Sequence, residues 1–206
     1  MEFSHWLSLF SICLLGAMSP GPSLAVVMNN TLRGGHGDGY ATALAHGFGV
    51  GLYGLLTVTG LAVLLARSPA LFVAIQVLGA AYLIYLGGKS LRSDGAQLPT
   101  AEGKKNTRTA ALDGFLVAFL NPKLAIFMLA LFSQFLEPMA GALEKGIMVA
   151  TVGITDASWY ALIVVLISRR AFLERLQRSA IVIDRVFGVI LILLALSVLL
   201  RAAGLV

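Results

Sequence analysis

Six apolar segments punctuate the chain, at 5–32, 41–66, 69–91, 114–136, 146–168 and 182–203. Each is near the roughly 20 residues that a helix needs to cross a bilayer. Between His5 and Arg33 there is no Lys, Arg, Asp or Glu, and none from Ala41 to Ala66. Uncharged apolar runs of that length read as membrane spans. The pattern predicts an all-α membrane protein of six transmembrane helices. Arg67-Ser68-Pro69 joins the second and third segments as a tight turn, with proline as the breaker. The third and fourth are separated by 92–113, which is polar, charged and rich in small residues. This one clear linker divides the chain into three-span halves, 1–91 and 114–206. The sixth span is bounded less sharply, because Asp184 and Arg185 near its start sit either in the interface or in a short, tilted helix.

Composition agrees with the pattern. Of 206 residues 58% are hydrophobic and 12% charged, against about 25% charged in soluble domains. That is too little charge to solvate a globule of this size. The net charge of +5 is explained by location rather than by a nucleic-acid partner. Eleven basic residues lie in the loops after spans one, three and five: Arg33; Lys89, Arg92, Lys104, Lys105 and Arg108; Arg169, Arg170, Arg175, Arg178 and Arg185. Arg67, Lys145 and Arg201 lie on the other side, and Lys123 falls inside a span. The positive-inside rule then places both termini on the periplasmic side. With three spans per half, the second half enters the bilayer from the opposite face, so if the halves are repeats they are inverted repeats. Trp6 to Met18 has the length of a signal-peptide core, but no Lys or Arg precedes it and Pro20 would follow the cut, so the segment is read as retained. Cys13 has no second cysteine to pair with and reads as apolar filler.

Two interruptions stand out against this background. In LLGAMSPGPSLAVVMNN, Pro20, Gly21 and Pro22 sit in the middle of the first apolar run. Proline removes a backbone donor and clashes with the preceding turn, so helix one should be broken there. In AFLNPKLAIF of the fourth run, Asn121, Pro122 and Lys123 repeat the motif 102 positions later. A break exposes carbonyls and N–H groups that lipid cannot satisfy, so it must be covered by protein or a water-filled cavity. One such proline is usually a kink. Breaks at corresponding places in two halves point to a transporter's binding site, where helix N-termini suit a carboxylate and C-termini an ammonium. Ser19 and the residues of both breaks are therefore candidate substrate ligands.

Lys123 is the costliest residue to bury, since an ionised Lys at mid-bilayer costs at least about 2.5–3.5 kcal/mol. The one acid deep in a span is Asp156, halfway along the fifth. The simplest expectation pairs the two or places them in one wet site, as candidates for proton coupling. A static ion pair pinning two helices is the alternative. His46 lies near the cytoplasmic end of span two and is a third candidate for proton transfer, although its position within two turns of the loop favours a satisfied interfacial histidine.

Other motifs fall away in context. GVGLYG at 49–54 matches the dinucleotide-binding pattern, but no strand precedes it and it lies in a membrane helix. Gly47 and Gly51, with Ala43 a turn earlier, make instead a small-residue face for close helix packing. Gly-rich 34–39 lacks the Lys-Ser/Thr of a phosphate cradle. Trp159 and Tyr160, a turn past Asp156, either line a cavity or pack. Ser19 and Ser23 have no close base, no metal-ligand spacing occurs and no cofactor is expected. An enzyme is therefore not expected.

The early SPGPS, the Gly-rich second span, the basic central loop, the NPK of span four and the Asp-x-x-Trp of span five together resemble the lysine-exporter superfamily, in particular its branch of RhtB-type homoserine/threonine and neutral amino-acid exporters. That resemblance implies a bacterial inner-membrane efflux protein for amino acids or close derivatives, exchanging substrate for protons. By motif it assigns Pro20, Gly21 and Pro22 to the first break, Asn121, Pro122 and Lys123 to the second, and Asp156 to the acidic position of span five. An exporter of a metal ion or another small solute is the runner-up, disfavoured by the single Cys and the scarcity of His and acids in the spans. A non-transporting scaffold would need no doubled break. The sequence leaves a homo-oligomer open and does not choose the substrate.

Overall fold

The protein was analysed as a computed structural model that describes residues 1–19, 21–93, 107–137, 140–167 and 169–202. Among the described residues every regular element is helical: α1 (Phe3–Met18), α2 (Pro22–Arg67), α3 (Pro69–Leu91), α4 (Thr107–Phe119), α5 (Pro122–Phe135), α6 (Ala142–Leu166) and α7 (Arg170–Ala202). Prolines open three of them. Pro22, Pro69 and Pro122 each occupy a first-turn position, where the missing N–H costs nothing because no carbonyl precedes it to bond.

By length and composition, four of the described helices can each cross a membrane, or five if the pair α4 and α5, bent by 54° across Leu120 and Asn121, is counted as one broken span. α1 is shorter, at 16 residues. α2 runs for 46 residues but is not one rod. Gly35 has φ 80 and ψ -174, a conformation open to glycine because it carries no Cβ. The limbs on either side of it fold back on each other. Asn30 Nδ2 donates to Thr42 Oγ1 at 3.0 Å, although a straight helix would separate these residues by about 18 Å. The Gly-rich turn expected between the first two apolar segments thus lies inside what hydrogen bonding joins into one element.

α7 starts a dozen residues before the expected sixth span. Arg175, Arg178, Asp184 and Arg185 are helical rather than in a loop, and the apolar window within α7 begins at Arg178. A helix can start ahead of its apolar window, because charged side chains at the membrane surface are compatible with a helix that continues into the bilayer.

The packing rests on backbone approach at glycines, the device that joins helices where lipid offers no hydrophobic driving force between them. A Cβ on Gly47 would lie 2.5 Å from Ala157 Cβ and 2.8 Å from Gly153 O, which seats α2 directly on α6. A Cβ on Gly87 would lie 2.7 Å from Gly188 O, and one on Gly188 would lie 2.6 Å from Gly87 O, seating α3 on α7. α4 meets α2 at Gly114, whose added Cβ would lie 2.3 Å from Thr42 O. The interior between these contacts is filled by Leu9, Leu61, Leu83, Leu131, Phe132 and Met148, all essentially inaccessible. Outward-facing Leu44, Phe48, Leu78, Leu143, Ile154 and Leu193 are exposed and apolar, as a lipid-facing surface requires.

These contacts give a stability test. Gly114→Ala drives a methyl into the Thr42 backbone, which cannot rotate away, and is expected to lower stability in detergent by about 1–3 kcal/mol. Gly60→Ala has nothing within 4 Å of the new methyl, so it is expected to be neutral or stabilising by up to about 1 kcal/mol. Equal melting temperatures for the two variants would contradict the assigned α2–α4 contact.

Candidate functional site

Both interruptions are real breaks, built differently. α1 ends at Met18, and Ser19 leaves the helix with its N–H still bonded to Leu15 O at 2.9 Å. Gly21 is extended and caps α2 without a side chain. Pro20 lies outside the described residues. At the second break, proline biases the preceding residue away from helix, and Asn121 is accordingly extended at φ -79, ψ 105. Its Oδ1 accepts from the N–H groups of Lys123 at 3.0 Å and Leu124 at 3.3 Å. Such a cap contributes about 0.5–2 kcal/mol and starts α5 cleanly.

The two breaks meet. Ser19, Gly21, Pro22, Asn121 and Lys123 line one cavity of about 110 Å³, together with His46 and Asp156. Seven of the residues singled out in the sequence, from four separate stretches of chain, share this space. Pro122 shapes it by ending α4 but is not among its lining residues. Apolar walls come from Phe127, Met128 and Phe187, which no motif in the sequence marked.

The partner of Asp156 differs from expectation. Its Oδ2 lies 2.6 Å from His46 Nδ1, and both residues are more than nine-tenths buried. The cause is the glycine contact one residue away. Gly47 lets α2 touch Ala157 of α6, and the neighbours 46 and 156 are thereby pressed together. His46 is therefore buried inside the bundle against α6. An ionised carboxylate only accepts, so while Asp156 is charged His46 Nδ1 carries the proton. His46 Nε2 is then an acceptor, and among the described residues it has no hydrogen-bond partner although buried. Tyr160 packs edge-on to His46, with ring centroids 5.0 Å apart, and stands with Ser23 in the cavity lining beside the first break. Tyr160 thus lines the cavity rather than merely packing.

Lys123 lines the same cavity but is not ion-paired to Asp156. Among the described residues it is in no ion pair at all. Its long side chain is exposed and also lines a second, wider cavity towards Lys89 and Asp184, the way lysine stems carry their charge towards water. Asp184 is itself buried, at 5% exposure, and accepts from Ser19 Oγ at 2.7 Å. A second acid therefore stands beside the first break. It was hidden in the sequence because it sits among arginines, at a point where the helix start was ambiguous.

One family model of known proteins spans all of these residues. The LysE type translocator family model matches residues 14–202. The homoserine/homoserine lactone efflux protein of Salmonella typhimurium is 30% identical over 146 residues, 70% of this chain and 71% of its own. A leucine efflux protein of Salmonella choleraesuis is 29% identical over 143 residues, 66% of this chain and 65% of its own. The uncharacterized membrane protein YrhP of Bacillus subtilis is 27% identical over 197 residues, 90% and 94% of the two chains. No solved structure matches the chain. A multi-pass helical chain, matched from within its first helix to the end of its last, belongs to the LysE type translocator family.

Proposed function

We propose that the protein exports amino acids or close derivatives from the cytoplasm of a bacterium across its inner membrane, in exchange for protons. The observation that carries this reading is the single cavity lined by both helix breaks, by Lys123 and by the His46–Asp156 pair. A zwitterion has one carboxylate and one ammonium, and this cavity offers one cation and one acid. The substrate carboxylate binds Lys123, near the N-terminal ends of α2 and α5, whose helix dipoles favour negative charge there. The ammonium binds Asp156. A proton on Asp156 or His46 removes the negative charge that holds the ammonium, so proton and substrate compete for one site. Competition at a site that opens to alternate sides is sufficient for exchange. The efflux activities in the names of two relatives support the direction and the substrate class.

The architecture in this reading is six spans in two inverted repeats, 1–91 and 114–206, with 92–113 as a cytoplasmic linker and both termini periplasmic. Reciprocal contacts support it. Gly87 would clash with Gly188 O and Gly188 with Gly87 O, and Gly47 and Gly153 approach each other's carbonyls in the same mutual way. A two-fold axis generates such i-to-j and j-to-i pairs.

The test is export from cells. Strains overproducing the wild type are expected to release leucine, homoserine or another amino acid into the medium faster than strains producing Asp156→Asn at equal membrane abundance. No difference in any amino acid would overturn the reading. Orientation is checked with cysteines at Asn106 and Glu144 in a Cys13→Ser background. A membrane-impermeant thiol reagent is expected to label the second from outside and not the first.

A further inference from the structure

Next to the central cavity is a wider one of about 700 Å³, at the end of the bundle where α3 stops, beside Asp184 of α7. Ser19, Leu86 and Lys123 line both cavities, so these three side chains form the neck between them. Three cations face the wider space, Lys89, Arg92 and Lys123. Among the described residues none of the three is in an ion pair. Among the described residues one acid, Asp184, faces them. Asp184 belongs to the apolar, membrane-crossing part of α7, where a buried carboxylate is expensive unless partnered. Its recorded partners are neutral hydroxyls, Ser19 Oγ at 2.7 Å and Ser93 Oγ at 2.5 Å. Hydrogen bonds from a hydroxyl are weaker than those from an ammonium, so both are replaceable by a cationic ligand.

A mouth lined by three cations and, among the described residues, a single acid concentrates anions and repels simple cations. A buried carboxylate in the same mouth then disfavours anions that bring no positive group of their own. The two conditions together describe a zwitterion. We propose that this vestibule is a capture site that takes the zwitterionic solute before the central cavity does, Arg92 and Lys89 holding its carboxylate and Asp184 its ammonium. The inference rests on the amino-acid reading above and on that end of the bundle facing the cytoplasm. It adds a consequence for the neck. The ammonium takes the place of Ser19 Oγ on Asp184, which frees Ser19 at the broken point of the first span. Capture and opening of the path to the central cavity are thereby linked. Lys123, shared by both spaces, then accepts the carboxylate as the solute advances.

The experiment uses the full chain in vesicles of known orientation, with radiolabelled L-leucine as the probe, presented from either face. Arg92→Gln and Asp184→Asn are each expected to raise the KM for leucine from the cytoplasmic face by about tenfold or more, the loss of one charge-assisted contact, with a clearly smaller rise from the opposite face. Lys145→Gln, at the other end of the bundle, is expected to change neither. In competition from the cytoplasmic face, 4-methylpentanoate, which lacks the ammonium, should gain on leucine in Asp184→Asn. Leucinamide, which lacks the carboxylate, should gain in Arg92→Gln. Should Asp184→Asn not reach the membrane, Asp184→Glu is measured instead and is expected to give the same face-specific rise. A KM unchanged in both variants, or raised equally from both faces, overturns the capture site. A wild type that moves neither leucine nor homoserine overturns the amino-acid reading instead, so the two failures are distinct.

Discussion

Asp156→Asn is expected to abolish proton-driven export and yet leave a folded protein that still exchanges substrate for substrate. Asparagine has the shape of aspartate, and its Oδ1 can accept from His46 Nδ1 across the 2.6 Å contact. The bond weakens from charge-assisted to neutral, so the stability change should stay near 1–2 kcal/mol. What disappears is the group that binds either a proton or an ammonium. Without it, substrate binding no longer depends on protonation and a pH gradient has nothing to act on. Counterflow in vesicles without a gradient should persist at reduced affinity, while uptake driven by an imposed pH gradient should fall to background. Undiminished gradient-driven transport would remove Asp156 from the coupling. A double-mutant cycle on melting in detergent separates partner from neighbour. His46→Ala with Asp156→Asn should be non-additive by about 0.5–3 kcal/mol, whereas Lys123→Met with Asp156→Asn should add to within about 0.5 kcal/mol.

Lys123→Met is expected to lose both modes. The ammonium is the cation that lines the central cavity beside both breaks, and a carboxylate bound to it gains about 1.5–3 kcal/mol relative to a neutral contact. Its loss should weaken substrate binding about 10- to 150-fold, in exchange and in net export alike. Among the described residues Lys123 is in no ion pair, so its removal breaks no close salt bridge. Methionine, of similar length and apolar, should therefore hold or raise stability in detergent. Failure of transport with unchanged melting is the expected signature, and Lys123→Arg should recover part of the affinity. Transport of leucine and homoserine at wild-type KM in Lys123→Met would show that the carboxylate is held elsewhere.

Much of the candidate site was legible in the sequence because the bilayer is an unforgiving solvent. A proline pair in an apolar run, or a lone Lys or Asp in one, has no inexpensive interpretation, so Pro22, Asn121, Lys123 and Asp156 announce themselves. Their convergence on one cavity is consistent with the spacing of the two breaks. The residues that were misread are those whose meaning depends on a neighbour. His46 resembles an interfacial histidine until Gly47 is seen to let α2 touch Ala157. Asp184 fits either the interface or a short, tilted helix until α7 is seen to begin at Arg170 and to bury it beside Ser19.

By itself the chain determined that it is helical and multi-pass, where its first and fourth apolar segments break, and which ionisable residues are too costly to be incidental. These follow from local chemistry: the missing N–H of proline, the length of apolar runs and the energy of charge in hydrocarbon. Only the tertiary structure decided which charges meet. Asp156 goes to His46 and not to Lys123, because helix packing is set by where glycines let backbones approach, and that distance is a property of two segments together. The same packing left Lys123 between two cavities and placed Asp184 across the wider one from it.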